Sequence, residues 1–318
     1  MTEKNLLPPP IDESDEPFQS EADFLNFLTA ACIQRGMTVD FTDDCASLSG
    51  TTDLISTDTI VERVHFETHT ATPYQIGRQA AVVNLSDLAG SGGQPEWVLL
   101  SLQLPAGWFG TKLRELCAGF LDELMAHQTS LVGGNCCHAE GPLSVGVTVG
   151  GPLFGSNAIL RSGASVGDLI YVSGTLGAAA AMLVDCTPEN VELRHRWRPH
   201  VSESRQLCEA GQVTAMMDIS DGLLVDAQRL ARASGVSLHI TTPNLPLIKT
   251  VDEKGALTHA LYGGEDYVLL FTLPSEAQPP RWATQIGVVQ FGSGVVVDGQ
   301  LISQVGFDHF RAGGDGAP

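Results

Sequence analysis

Four short motifs hold the residues best suited to chemistry: Thr42-Asp43-Asp44, Ser56-Thr57-Asp58, Asn84-Leu85-Ser86-Asp87 and Asp218-Ile219-Ser220-Asp221-Gly222-Leu223, with long apolar segments between them. A fold that gathers such carboxylates cannot leave them facing one another unpaired, because repulsion and desolvation would raise their pKa values and protonate some of them. Divalent cations are the simplest remedy, so the pattern reads as a polynuclear metal site. Each motif also has a plain structural reading. Asp43-Asp44 suits a turn, and Ser56-Thr57-Asp58 a strand end. Asp221 precedes Gly222 and a helical pattern, where aspartate is a preferred N-cap. For Asp218 to Asp221 both readings stay open and are compatible, since a helix N-terminus attracts phosphate while its carboxylates hold a bridging cation. The Asn84 to Asp87 motif lies among Ala80, Ala81, Val82, Val83, Leu85 and Leu88. A helix apolar all round is buried, so Asp87 requires a compensating partner.

The elements that must position these groups follow from periodicity. Glu21 to Arg35 carries Phe24, Leu25, Phe27, Leu28 and Ile33 at helical spacing, closed by Gly36. Asp53 to Thr59 reads as a strand, with Ser56 and Asp58 on one face and Thr57 on the other. Pro73 opens a helix from Tyr74 to about Ala89, ended by Ser91-Gly92-Gly93, in which Asn84 and Asp87 share a face. Trp97 to Leu104 and Pro142 to Gly150 read as strands, with an amphipathic helix from Thr111 to His127 between them. The second half predicts strands Leu169 to Ser173, Val213 to Met217 and Val236 to Ile240. Its helices are Leu176 to Val184, Ser202 to Ala210 and Leu223 to Ala233. The result is an α/β (α+β) chain without a strict βαβ rhythm or a short-period repeat. Residues 1–20, with Pro8-Pro9-Pro10 and an acidic cluster from Asp12 to Glu16, read as a flexible leader. The glycine-rich stretch from Gly150 to Gly167 is the best boundary, giving an N-terminal α/β domain at 21–152 and a C-terminal one at 153–318.

Composition excludes several classes of partner. The 318 residues are 43% hydrophobic, enough for two packed cores. With 17 basic against 37 acidic residues the net charge is −20, which argues against nucleic acid or an anionic membrane. A phosphate ligand would then have to be held through Mg²⁺, which takes carboxylates on one side and phosphate oxygens on the other. No apolar run reaches membrane-spanning length and no signal peptide is visible, so a soluble cytoplasmic protein is expected. The seven cysteines are odd in number and lack CxxC spacing. Packing preference makes Cys136-Cys137 two buried, inert thiols. His65, taken alone, reads as a structural histidine.

A GxxxxGK[ST] loop, a kinase HRD or DFG set and a GxGxxG after a strand are all missing, so any ATP site is of another type. The motifs from Thr42 to Pro105 include His65-Phe66, Asn84-Leu85-Ser86-Asp87-Leu88-Ala89 and Leu102-Gln103-Leu104-Pro105. In order there follow Val132-Gly133-Gly134, Arg161-Ser162-Gly163-Ala164, Asp218 to Leu223, Gly263-Gly264-Glu265-Asp266-Tyr267 and Gly306-Phe307-Asp308-His309-Phe310. This series resembles the thiamine-monophosphate kinases from about residue 21 to 310. They form part of a superfamily with aminoimidazole-ribonucleotide synthetase, selenophosphate synthetase and a hydrogenase-maturation carbamoyl dehydratase.

The resemblance implies a two-domain aminoimidazole-ribonucleotide synthetase-like fold, a homodimer formed through the N-terminal sheet, and ATP in the cleft between domains. It implies several Mg²⁺ ions on Asp44, Ser56, Thr57, Asp58, Asp87, Asp218 and Asp221. ATP would contact Gly134, Asn135, Arg161 and Ser220, and thiamine monophosphate would contact His65, Glu265 and Phe307. The implied reaction moves the γ-phosphate of ATP onto thiamine monophosphate by direct in-line transfer, with no catalytic residues beyond the metal ligands. A phosphate oxygen is already ionised and needs no general base, whereas charge repulsion of ~4 kcal/mol per unit pair at ~4 Å must be cancelled. Asn135 stands where the family has aspartate, removing one negative charge, and Thr42 where it has glycine. The alternatives are a superfamily relative acting on another phosphorylated substrate and a nucleotide-binding paralogue impaired in catalysis.

Overall fold

The computed structural model describes residues 20–37, 41–47, 50–184, 197–248 and 253–302. By internal contacts the chain divides into two units. One, residues 1–43 with 307–318, is described at 20–37 and 41–43. It contains α1 (Glu21–Gln34), started by Ser20, whose Oγ accepts the N–H of Asp23 at 3.1 Å. Residues 1–19 of the expected leader and Phe307 lie outside the described residues.

The second unit, residues 44–306, holds two sheets. The five-stranded sheet contains β1 (Ala46–Ser47), β2 (Asp53–Val61), β3 (Trp97–Leu104), β4 (Ser130–His138) and β5 (Ser144–Pro152), in the order β1-β2-β5-β3-β4. β3 and β4 are parallel and joined by α3 (Thr111–Ala126), since a parallel pair needs a crossover. Along β3, Val98, Leu100, Leu102 and Leu104 are buried while Leu99, Ser101 and Gln103 are exposed. The buried face packs with α2 (Pro73–Gly90) and α3 in one core. Nearly all of α2 is buried, as its all-round apolar sequence requires. It lies so close to α3 that a Cβ on Gly77 would fall 1.9 Å from the Leu116 carbonyl oxygen.

Among the described residues nothing covers the other sheet face, and every residue of the edge strand β4 is exposed. Cys136 and Cys137 therefore correct the expectation of buried thiols: both are exposed. An edge strand with nothing over its second face hides neither side chain.

The seven-stranded sheet has the order β12-β11-β8-β10-β6-β9-β7. It contains β6 (Leu169–Val172), β7 (Ala215–Asp218), β8 (Ser237–Ile240), β9 (Leu269–Leu273), β10 (Thr284–Gln290), β11 (Gly294–Val297) and β12 (Gln300–Leu301). The helices of this half are α4 (Ala178–Val184), α5 (Val201–Ala210), α6 (Leu223–Ser234) and α7 (Glu253–Tyr262). Among the described residues, no helix is long and apolar enough to cross a membrane.

The C-terminal turn of α2 backs directly onto β7. A Cβ on Gly90 would lie 2.8 Å from the backbone nitrogen of Asp218, closer than real contacts allow. Gly90→Ala is therefore expected to push α2 and β7 apart, lowering Tm by several degrees and turnover at least tenfold; a variant matching wild type in both would show that this contact relaxes freely.

Candidate functional site

That close approach brings three carboxylates together. One oxygen from each of Asp44, Asp87 and Asp218 lies within 4.8 Å of the others. Each carboxylate has a dedicated holder. Ser56 Oγ on β2 donates to Asp87 Oδ2 at 2.7 Å, and Ser86 Oγ on α2 donates to Asp218 Oδ2 at 2.5 Å. The Arg161 guanidinium pairs with Asp44. The strand is pinned to the helix by Asn84, whose Oδ1 accepts the N–H of Asp58 at 3.0 Å. Its Nδ2 donates to the Ala80 carbonyl at 3.0 Å, which fixes that orientation.

Electrostatics show what the trio lacks. Burial pushes the Asp87 carboxyl well above its ordinary range, and the charges of Asp218, Asp44 and Asp58 push it further. Burial raises Asp218 too, with Asp44 adding to it and the Ser86 hydrogen bond opposing. Asp218 is 1% exposed, and its Oδ1 has no hydrogen-bond partner among the described residues. Three hard oxygen donors around an orphaned carboxylate oxygen fit a cation of the Mg²⁺ kind.

The Asp218 to Asp221 loop departs from the capping reading. Gly222, at φ 113°, takes the N-cap position of α6, and no side chain caps the helix there. Asp226 supplies the loop's bonds instead: its Oδ2 accepts the N–H of Ser220 at 3.1 Å and of Asp221 at 3.0 Å. Its Oδ1 receives Arg229 Nη1 at 2.8 Å, and the same nitrogen reaches Asp221 Oδ2 at 2.6 Å. Asp221 thus faces Arg229 rather than joining the trio. Burial moves Asp226 up to about 7, with Arg229 opposing the rise and Asp221 adding to it. Sequence reasoning passed over Asp226 and Arg229, and quoted Ser86 within its motif without giving it a role. The available signal was Asp226 within the buried stripe of Leu223, Leu224, Ala227, Leu230 and Ala231, with Arg229 three residues on.

The remaining expected residues fall in two places. His65 and Glu265 meet at Gln79 of α2, whose Nε2 donates to Glu265 Oε1 at 2.8 Å and to the His65 carbonyl at 3.3 Å. Ser220 joins them through its carbonyl, which accepts the Glu265 N–H at 2.8 Å. Thr57, Gly134 and Asn135 instead line an open cavity of about 510 Å³ on the uncovered sheet face, with Leu99, Ser101 and Thr148. Thr57 Oγ1 donates to the Val147 carbonyl at 3.0 Å, so the alternation that separates it from Ser56 holds. Thr42 has no left-handed φ, and a side chain there strains nothing.

This two-sheet fold is that of an AIR synthase related protein: the family's N-terminal domain matches residues 42–153 and its C-terminal domain residues 165–289. Thiamine-monophosphate kinase of Aquifex aeolicus (strain VF5) is 36% identical over 274 residues, covering 81% of this chain and 88% of the relative. That of Bacillus subtilis (strain 168) is 33% identical, covering 80% and 84%. A solved structure of AaThiL complexed with AMPPCP and TMP superposes with a TM-score of 0.83 at 31% identity, covering 93% of this chain and 100% of that one. The chain belongs to the thiamine-monophosphate kinase family.

Proposed function

We propose that this chain transfers the γ-phosphate of ATP to the phosphate of thiamine monophosphate, releasing thiamine diphosphate and ADP. The observation that carries this reading is the trio of Asp44, Asp87 and Asp218 with the orphaned Oδ1 of Asp218. Asp44, Asp87 and Asp218, with Ser56 and Asp58 beside them, would hold several Mg²⁺ ions, whereas Thr57 on the other face of β2 and Asp221 on Arg229 stand apart from the trio. Bound there, the ions would supply the charge neutralisation that two facing phosphates need. Ser56 and Ser86 hold two carboxylates at fixed angles, and Arg161 holds the third, so the ligand set is built before anything binds. No side chain has to take a proton from the acceptor, whose phosphate oxygen is ionised near neutral pH, which supports direct in-line transfer without a phosphoenzyme.

In the same reading Gly134, Asn135, Arg161 and Ser220 contact ATP, and His65, Glu265 and Phe307 contact the acceptor. The AMPPCP and TMP held by the related AaThiL structure support both ligand assignments. The uncovered sheet face, with exposed Leu99 beside a fully exposed β4, supports a homodimer formed through the five-stranded sheet. The separate domain matches support a division near residue 152. A cytoplasmic location completes the reading.

The direct test incubates purified protein with MgATP and thiamine monophosphate. Thiamine diphosphate and ADP should appear in equal amounts; ATP binding with no diphosphate formed would sink the proposal.

A further inference from the structure

Gln79 is fully buried in α2, yet its Oε1 has no hydrogen-bond partner among the described residues. A buried unpaired amide oxygen is destabilising, so a leucine or methionine of similar volume would serve stability better at this position. Reversing the amide does not help. Its oxygen would then face the Glu265 carboxylate and the His65 carbonyl, two groups that only accept. What the glutamine provides is its Nε2–H₂, one fork that joins segments 14 and 186 residues away in sequence.

Both segments are otherwise fixed at the backbone. Glu265 sits at φ 65° and Tyr267 at φ 51°, left-handed values that strain an L-residue. They are held by Glu265 N–H to the Ser220 carbonyl and Tyr267 N–H to the Ile219 carbonyl, both 2.8 Å. Between them the Asp266 carboxylate accepts the N–H of Gly177 at 2.9 Å. His65 is anchored by its ring, whose Nδ1 accepts the Val61 N–H at 3.0 Å and which therefore carries its proton on Nε2. The Glu265 backbone is pinned, and the Gln79 fork adds a hold on its side chain. Ser86 and Asp87 follow seven and eight residues later on the same helix, about 10–12 Å along its axis.

We propose that Gln79 is a positioning residue: it aims the Glu265 carboxylate and the His65 segment at the phosphate acceptor and fixes their distance from the carboxylate trio. This rests on the assignment of thiamine monophosphate as acceptor. Gln79→Leu should raise the KM for thiamine monophosphate about tenfold while the KM for ATP stays within twofold and Tm does not fall. A merely structural residue would instead lower Tm and weaken both substrates together, and that result would overturn the proposal; if Gln79→Leu does not fold, Gln79→Met carries the same comparison. A cycle with Glu265→Ala separates the two layers. If Gln79 acts through Glu265, the double variant has the acceptor KM of Glu265→Ala alone. A raised KM in Glu265→Ala with an unchanged KM in Gln79→Leu overturns the positioning role only. No change in either single variant, with activity on thiamine monophosphate retained, overturns the placing of the acceptor at Glu265; no activity on thiamine monophosphate in the wild type overturns the acceptor assignment itself.

Discussion

Asp218→Asn is expected to reduce turnover by about 10²–10³-fold while leaving the protein folded, because it removes the charge of the most deeply buried member of the trio. A second signature separates this from general damage. In the metal-free protein burial raises both Asp87 and Asp218, so the folded state binds protons that the unfolded chain releases. The sign follows: that stability is fully present below the ordinary carboxylate pKa and is lost as pH rises through the raised folded values. Metal-free wild type should therefore melt at a lower temperature at pH 8 than at pH 5.5, and Mg²⁺ should recover the difference by replacing the protons. Asp218→Asn should melt at pH 8 at or above metal-free wild type and gain little from Mg²⁺. Thermal melts with and without Mg²⁺ read this directly. A variant that keeps both its Mg²⁺ shift and its turnover would remove Asp218 from the proposed ligand set.

Asp226→Ala should produce the largest loss of stability of any change at the site, about 2–3 kcal/mol by urea unfolding. The variant leaves the N–H groups of Ser220 and Asp221 without their acceptor and takes one of two carboxylates from Arg229. Breaking a buried pair commonly destabilises by about 3–5 kcal/mol. The loss is smaller here because burial already raises Asp226 to about 7 and Arg229 keeps Asp221. Asp226→Asn retains an acceptor oxygen and should lose about 1 kcal/mol. Turnover should fall in the alanine variant as well, since the loop carrying Asp218 to Asp221 loses its anchor. An alanine variant within about 0.5 kcal/mol of wild type would mean that the loop is held from elsewhere.

Much of this was legible in the chain, for identifiable reasons. Every predicted helix and strand is present with ends displaced by at most two residues, because the apolar periodicity that marks them is also what buries them. Asp87, half-buried in the fold, could be read as an inward-facing carboxylate because Val83, Leu85 and Leu88 make its surroundings on α2 apolar on nearly every side. The sequence did not announce β4: Gly133-Gly134-Asn135-Cys136-Cys137 shows no alternation, since neither face of that strand meets a core in this chain. Expecting its cysteines to be buried used a preference that holds only where there is an interior. Capping failed at Asp221 because local propensity cannot register an arginine eight residues on that competes for the carboxylate. Gln79 was invisible for a related reason, as its two acceptors belong to segments far apart in sequence.

The rigidity of α2 sets which changes the chain can absorb. Between Gln79 and Ser86 a substitution alters one side chain and leaves both ends aimed. A single inserted or deleted residue in that interval would turn one end by about 100° relative to the other and shift it about 1.5 Å along the axis. The partners of both ends, Glu265 and Asp218, come from the other half of the same unit and cannot follow that rotation. Across natural and engineered variants, volume-conserving changes among Ala80 to Val83 and at Leu85 are tolerated better than any change in the length of this stretch.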